Sequence, residues 1–191
     1  MKINKLLIAT HNIGKFTEIK KQLEVLDIKI VSLSDLGIKE DFEETGETFE
    51  ANAMGKAKFY YNLAKIPTIS DDSGFAVDAL NGEPGVHSRT WPGYEASDEE
   101  LLQMLLYKMK DVPDQERTAK AVCVIAFYNG EEEIITRGEE YGTISKKVES
   151  KIEKGLPYSA VFFSKGYNQV FSQLSIEEKN AISHRGIALD K

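Results

Sequence analysis

The chain has 191 residues, 41% of them hydrophobic and 29% charged, which is enough apolar material for one globular domain with a substantial core. A net charge of -7, from 24 basic and 31 acidic residues, excludes a general nucleic-acid binder, whose footprint is a basic excess. No apolar run approaches the ~18 residues of a membrane span, the start is too short for a signal peptide, and Cys123, the only cysteine, permits neither an internal disulfide nor a thiolate metal cluster. A cytoplasmic protein with no nucleic-acid polymer and no membrane as partner is expected.

Ile3 to Ala9 reads as an apolar strand, and Thr10-His11-Asn12-Ile13-Gly14-Lys15 as a polar turn opening a helix through Phe16, Ile19, Leu23 and Leu26. A strand, a turn and a helix start form an anion site, because N–H groups and the positive dipole end favour phosphate oxygens and Lys15 adds a full charge. This is not a P-loop: Ala9 stands where a glycine is needed, and Phe16 replaces the Ser/Thr that would hold Mg²⁺. A capped surface turn with a solvated Lys15 is the alternative.

Lys29 to Val31 reads as a second strand, followed by the acidic stretch from Ser34 to Gly46. That stretch is a solvated face, or else Glu43 or Glu44 supplies an oxygen ligand to a cation. Phe49 to Lys65 reads as a helix capped by Thr48 or Thr45, apolar at Phe49, Ala53, Ala57, Tyr60 and Ala64, with Asn52 and Lys56 sharing another face.

Pro67-Thr68-Ile69 reads as a brief buried strand and Gly74 as a sharp turn, which sets Asp71, Asp72 and Ser73 at the strand's carboxyl end, where open α/β sheets bind ligands. Adjacent carboxylates repel unless a proton or a cation intervenes, and oxygen-only ligation suits Mg²⁺. A solvated turn is the alternative there as well. The Gly- and Pro-rich run from Gly82 to Gly93 is a shaped loop, and Ser97 to Lys110 a helix with a Ser97/Glu100 capping box.

Thr118 to Tyr128 and Glu133 to Thr136 flank the turn pair Asn129-Gly130 and form a hairpin that extends a mixed sheet. Ser145 to Gly155 reads as an exposed, flexible insertion. Leu156 to Phe163 is a turn entering a strand, in which Tyr158 stacks on a base or packs in the core. Ile176 to Ile182 is a short helix ended by Ser183-His184-Arg185-Gly186, which sets Lys179, His184 and Arg185 near one another.

Taken in order, Thr10, Asn12, Lys15 and Glu18; Glu43-Glu44-Thr45-Gly46; Glu50, Asn52, Ala53, Lys56 and Ala57; Asp71-Asp72-Ser73-Gly74 through Leu80; Gly82, Pro84-Gly85 and Ser88; and Glu177-Glu178-Lys179 with Ser183-His184-Arg185-Gly186 resemble the inosine/xanthosine triphosphate pyrophosphatase family, also called Ham1-like. The resemblance covers nearly the whole chain. It implies an α/β fold over 1–191, a mixed twisted sheet with flanking helices forming two lobes around a central cleft. It implies a Mg²⁺-dependent homodimer that hydrolyses a purine nucleoside triphosphate such as ITP, dITP or XTP to its monophosphate and pyrophosphate. By position, Thr10, His11, Asn12, Ile13, Gly14 and Lys15 hold the triphosphate. Lys56 and Asp72 are catalytic, Glu43 and Asp72 bind the metal, and Ser73 contacts substrate. Tyr158, Ser159, Lys179, His184 and Arg185 lie at the base and its surroundings.

The sequence departs from the family at His11, where a glycine is usual, and at Leu156-Pro157-Tyr158-Ser159-Ala160, where Leu156 replaces the base-stacking aromatic and Ser159 an aspartate. Two other readings stay open: a related nucleotide pyrophosphatase with altered base choice, and a non-catalytic nucleotide-binding module.

Overall fold

The structure is a computed structural model and describes residues 3–191. Its elements, in chain order, are β1 (Lys5–Ile8), α1 (Ile13–Leu23), β2 (Lys29–Ser32), α2 (Phe49–Ala64), β3 (Thr68–Val77), β4 (Pro84–Gly85), α3 (Asp98–Lys108), β5 (Thr118–Tyr128), β6 (Glu133–Ile144), β7 (Phe162–Ser164), α4 (Ile176–Ile182) and α5 (His184–Leu189). The strands form a mixed sheet in the order β2-β1-β3-β5-β6-β7, with β4 paired to β3. β1 runs parallel to β2 and β3, whereas β4 and β7 are antiparallel to β3 and β6.

The chain forms two compact units. The first comprises residues up to Ser73, Cys123–Gly138 and Arg185–Lys191; the second comprises Gly74–Val122 and Glu139–His184. In the first unit β1 is apolar and buried from Leu6 to Ile8 because both its faces are covered, as parallel strands require. Leu7 and Ala9 pack with Tyr60 of α2, while Leu6 and Ile8 pack with Ile19 of α1. Cys123 is buried beside Ala188, as core. In the second unit, Leu101, Leu102 and Leu105 of α3 pack on Phe75, Val77, Tyr158 and Phe162. The Arg117 guanidinium is buried there and donates to the carbonyls of Met109, Val112, Ile144 and Ser145.

Several local expectations change. The Asp71–Gly74 stretch lies inside a ten-residue strand instead of at a strand end. Gly74 keeps extended geometry, since pairing to β1 at Thr68 and Ile69 and to β4 at Phe75 and Ala76 holds the chain straight on both sides of it. β6 continues beyond Thr136 to Ile144. The 145–155 segment is tied down: Glu149 N–H donates to Ala160, Ser145 N–H to Val161, and Ile152 packs on the second unit's core. Leu156 leads into a 3-10 turn, Pro157–Ala160, before β7. Finally, Ser183 breaks the chain after α4 with extended geometry, so His184 and Arg185 open the six-residue α5 instead of closing one helix.

Candidate functional site

In the first unit, the turn between β1 and α1 is built by its own side chains. Asn12 caps α1, its Oδ1 accepting the Lys15 N–H at 3.1 Å, and its own N–H donates to Thr10 Oγ1 at 3.1 Å. Gly14 keeps this cap open, because a Cβ there would lie 3.2 Å from Asn12 Oδ1. The positive end of α1 therefore faces out of a preformed turn. The Lys15 ammonium reaches Asp71 Oδ2 at 2.9 Å.

Side chains alternate faces along a strand, so consecutive aspartates on β3 meet different surroundings. Asp71 is fully buried against cations: Lys15, and the Arg185 Nε and Nη2, each 3.4 Å from its Oδ2. Burial alone would raise its pKa, but Lys15, Arg185 and Lys56 outweigh that and hold it well below the usual carboxylate range. Arg185 also pairs with Glu18; burial disfavours its charge, yet the two carboxylates keep it more firmly protonated than usual.

Asp72 is the reverse case. Its Oδ1 accepts the Ser73 N–H at 2.8 Å, whereas its Oδ2 is buried with no partner among the described residues. Burial, and next to it the negative charge of Glu44, push its pKa up to about 6 against the opposing pull of Lys56, Asn52 and Lys15. Lys56, from α2, donates to the Asp71 carbonyl at 3.1 Å and pairs with Glu44. Its burial favours the neutral amine, but Glu44, Asp71 and Asp72 more than compensate, so it stays charged. Asn52, one turn before Lys56, accepts the Gly46 N–H at 2.7 Å.

The arrangement can hold a polyanion through Lys15, Lys56 and a helix N-terminus. It can also hold a cation through Asp72 and Glu44, with Asp72 at a pKa suited to accepting a proton near neutrality. Of the two expected glutamates it is Glu44 that pairs with Lys56 and acts on Asp72. Among the described residues no group of three or more His, Cys, Asp or Glu side chains is disposed to bind a metal. Two carboxylates nonetheless suit Mg²⁺, which keeps several waters and takes further oxygens from phosphates.

The other expected residues have partners of their own. Tyr158 is buried, stacked on Phe75 with ring centroids 4.9 Å apart, and its hydroxyl donates to the Ser88 carbonyl. Ser159 is buried with its hydroxyl on the Leu156 carbonyl, while the Leu156 side chain is 48% exposed. Lys179 pairs with Glu153 at 2.7 Å and donates to the Ser172 carbonyl. His184 Nδ1 lies 3.6 Å from Glu140, a buried carboxylate that takes the Ser164 hydroxyl. The expected cluster of three cations thus resolves into an ion pair with Glu153, a histidine beside Glu140, and an Arg185 committed to Asp71 and Glu18. Glu18, one of the residues that carry the family resemblance, lies three residues after Lys15 on α1, a spacing that puts both on one helix face.

Fold and site together define an α/β protein with facing sets of phosphate-seeking cations and cation-seeking carboxylates on β3 and its neighbours. The chain belongs to the Ham1 family, whose model matches residues 6–191. It is 42% identical over 188 residues to a dITP/XTP pyrophosphatase of Caldanaerobacter subterraneus subsp. tengcongensis, covering 98% of this chain and 93% of that protein. It is 40% identical over 190 residues to the dITP/XTP pyrophosphatase of Escherichia coli, covering 98% and 95%. Among solved structures, a HAM1 protein from Coxiella burnetii superposes with a TM-score of 0.88 at 34% identity, covering 98% of this chain and 95% of that one. The Staphylococcus aureus Ham1 protein gives 0.85 at 34% identity, covering 97% and 94%.

Proposed function

We propose that this chain is a nucleoside triphosphate pyrophosphohydrolase that releases a monophosphate and pyrophosphate from deaminated purine nucleotides such as dITP and XTP. The observation that carries the reading is Asp72: a buried carboxylate with a free oxygen and a raised pKa, set between Lys56 and Glu44. Family membership and relatives named for this activity support it.

The Thr10–Lys15 turn and Lys15 bind the triphosphate oxygens, and Lys56 offsets the charge that builds on the phosphoryl group and the leaving pyrophosphate. Asp72 accepts the proton of the water that attacks the α-phosphorus, a role for which a pKa near 6 is suited. Asp72 and Glu44 would hold the divalent cation, taken here as Mg²⁺, which when bound adds positive charge to the polyphosphate and makes water more acidic. Arg185 and Asp71 act behind these groups, keeping Lys15 in place. The same reading has a single domain of two lobes over 1–191, working as a homodimer, as the family resemblance implies, and in the cytoplasm, as the sequence suggests. Among the described residues no helix is long and apolar enough to cross a membrane.

Pyrophosphate release with Mg²⁺ from dITP, XTP, dATP, dGTP, dCTP and dUTP tests this, with Asp72→Asn as control. Preference for dITP and XTP that vanishes in the variant is expected, and no release from any of them would leave a binding module. A second reading, altered base choice, is favoured by Leu156, an exposed aliphatic where the family carries an aromatic, and by Ser159, whose hydroxyl is spent on the backbone. Comparable rates on all six nucleotides would establish it.

A further inference from the structure

Glu44 reaches Lys56 from a segment without regular structure, between the short 3-10 turn Ser34–Leu36 and α2. Its later part is fastened to α2 by close approaches at two glycines. Phe42 lies over Gly55, where a Cβ would stand 2.7 Å from the ring, and Gly46 meets Asn52, where a Cβ would stand 2.5 Å from the amide oxygen. Phe42 also packs against Phe59.

The start of the segment is held differently, at a single backbone atom. The Glu40 carbonyl accepts the Tyr60 hydroxyl at 3.0 Å, and His11 Nε2 lies 3.0 Å from the same oxygen. His11 comes from the turn between β1 and α1, and its ring stands edge-on to Tyr60 at 6.1 Å and 73°. One oxygen is thus gripped by a helix on one side and by the phosphate-facing turn on the other.

We propose that His11 is a positioning residue: its bond to the Glu40 carbonyl ties the Thr10–Lys15 turn to the segment that delivers Glu44, so that the groups facing phosphate and the carboxylate facing the cation are set together. The chemistry suits the task. Opposite a carbonyl, Nε2 must be a donor, and both the imidazolium and the neutral Nε2–H tautomer provide one. Tyr60 is the second donor, and burial keeps its hydroxyl protonated, its pKa pushed up to about 12. Because the acceptor is backbone, the tie fixes the chain path at position 40 whatever side chain stands there. Glu44 follows four residues later, close enough that slack at Glu40 reaches it through the intervening chain. The inference rests on the proposed function for its consequence, though not for its geometry.

Four proteins test it: wild type, His11→Ala, His11→Asn and His11→Gln. The Gln amide nitrogen can take the place of Nε2, while that of Asn, closer to the backbone, falls short. Amide hydrogen exchange over 39–44 is expected to quicken roughly three- to tenfold in His11→Ala and His11→Asn, the worth of one net hydrogen bond, and to stay at the wild-type rate in His11→Gln. The half-saturating Mg²⁺ concentration and KM are expected to rise by a similar factor in the first two, with a smaller change in kcat and recovery in His11→Gln. Wild-type exchange in His11→Ala would overturn the tie, and so would equal behaviour of the Asn and Gln variants. Faster exchange with an unchanged Mg²⁺ requirement would overturn its role in the site. A wild-type protein that hydrolyses no nucleotide would overturn the proposed function, and the exchange measurement would still decide the tie.

Discussion

Asp71 and Asp72 are adjacent on one strand, yet the protein shifts their proton affinities in opposite directions. Asp71 is locked as a carboxylate by Lys15 and Arg185, whereas Asp72 is pushed toward its neutral form by burial and Glu44. The alternation of a β-strand permits this, since a shift of one residue carries a side chain to the opposite face. One aspartate organises cations; the other keeps a buried oxygen with no partner among the described residues.

For Asp72 the folded pKa of about 6 exceeds the ordinary 3.8, so the protein binds its proton more tightly folded than unfolded. The associated stability is fully present below the ordinary value and is lost as pH rises through 6. Asp72→Asn should therefore be more stable than wild type by ~3 kcal/mol at pH 8 and about equal to it near pH 4, while losing roughly 10²–10⁴-fold in kcat. Urea unfolding at the two pH values, with activity at the higher one, checks both halves; equal stability at pH 8 would contradict the raised pKa.

The same group sets a pH profile. At limiting Mg²⁺, kcat/KM should rise with pH through an acid limb near 6, and saturating Mg²⁺ should move that limb to lower pH because a cation favours the carboxylate. A limb indifferent to Mg²⁺ concentration would separate Asp72 from the metal.

Glu44 and Glu43 are neighbours in sequence, but only Glu44 pairs with Lys56 and acts on Asp72. Glu44→Gln is expected to raise the half-saturating Mg²⁺ concentration at least tenfold, and Glu43→Gln to change it less than twofold. Isothermal titration with Mn²⁺ in the presence of a non-hydrolysable triphosphate reads this without turnover. The reverse ranking would restore Glu43 as the ligand.

Asp71→Asn leaves Arg185 buried with Glu18 as its one ionic partner among the described residues and releases Lys15. Breaking a buried ion pair from one side costs about 3–5 kcal/mol, so a large fall in Tm is expected together with a higher KM. Because the folded Asp71 pKa is lowered, its contribution is present above the ordinary carboxylate value and disappears only as pH falls well below it. A variant as stable as wild type at pH 7 would remove Asp71 from its place as the buried pivot.

Arg117 provides a contrast in the second unit, where burial lowers its pKa and backbone carbonyls take its donors. Arg117→Met should cost about 3 kcal/mol through the abandoned carbonyls, measured by denaturant unfolding, with kcat/KM at 25 °C within about twofold of wild type. A loss of activity larger than the loss of folded protein would give Arg117 a role this structure does not show.

Local chemistry was legible in the sequence. Thr48, one of the two caps open to its helix, the Ser97/Glu100 capping box, the Asn129-Gly130 hairpin and the apolar strand before Thr10 all formed as their spacing requires, because short-range hydrogen bonding and hydrophobic period decide them. The series from Thr10 to Arg185 carried the family. Tertiary structure decided what those residues do to one another. Nothing local distinguishes Asp71 from Asp72, or Glu43 from Glu44; burial, and a cation or carboxylate brought in from residues far away in sequence, makes each pair unequal. Arg185 lies 114 residues from Asp71, and only the folded chain sets its charge against that carboxylate. Electrostatic roles depend on distance and solvent exclusion, and both exist only once the chain has packed.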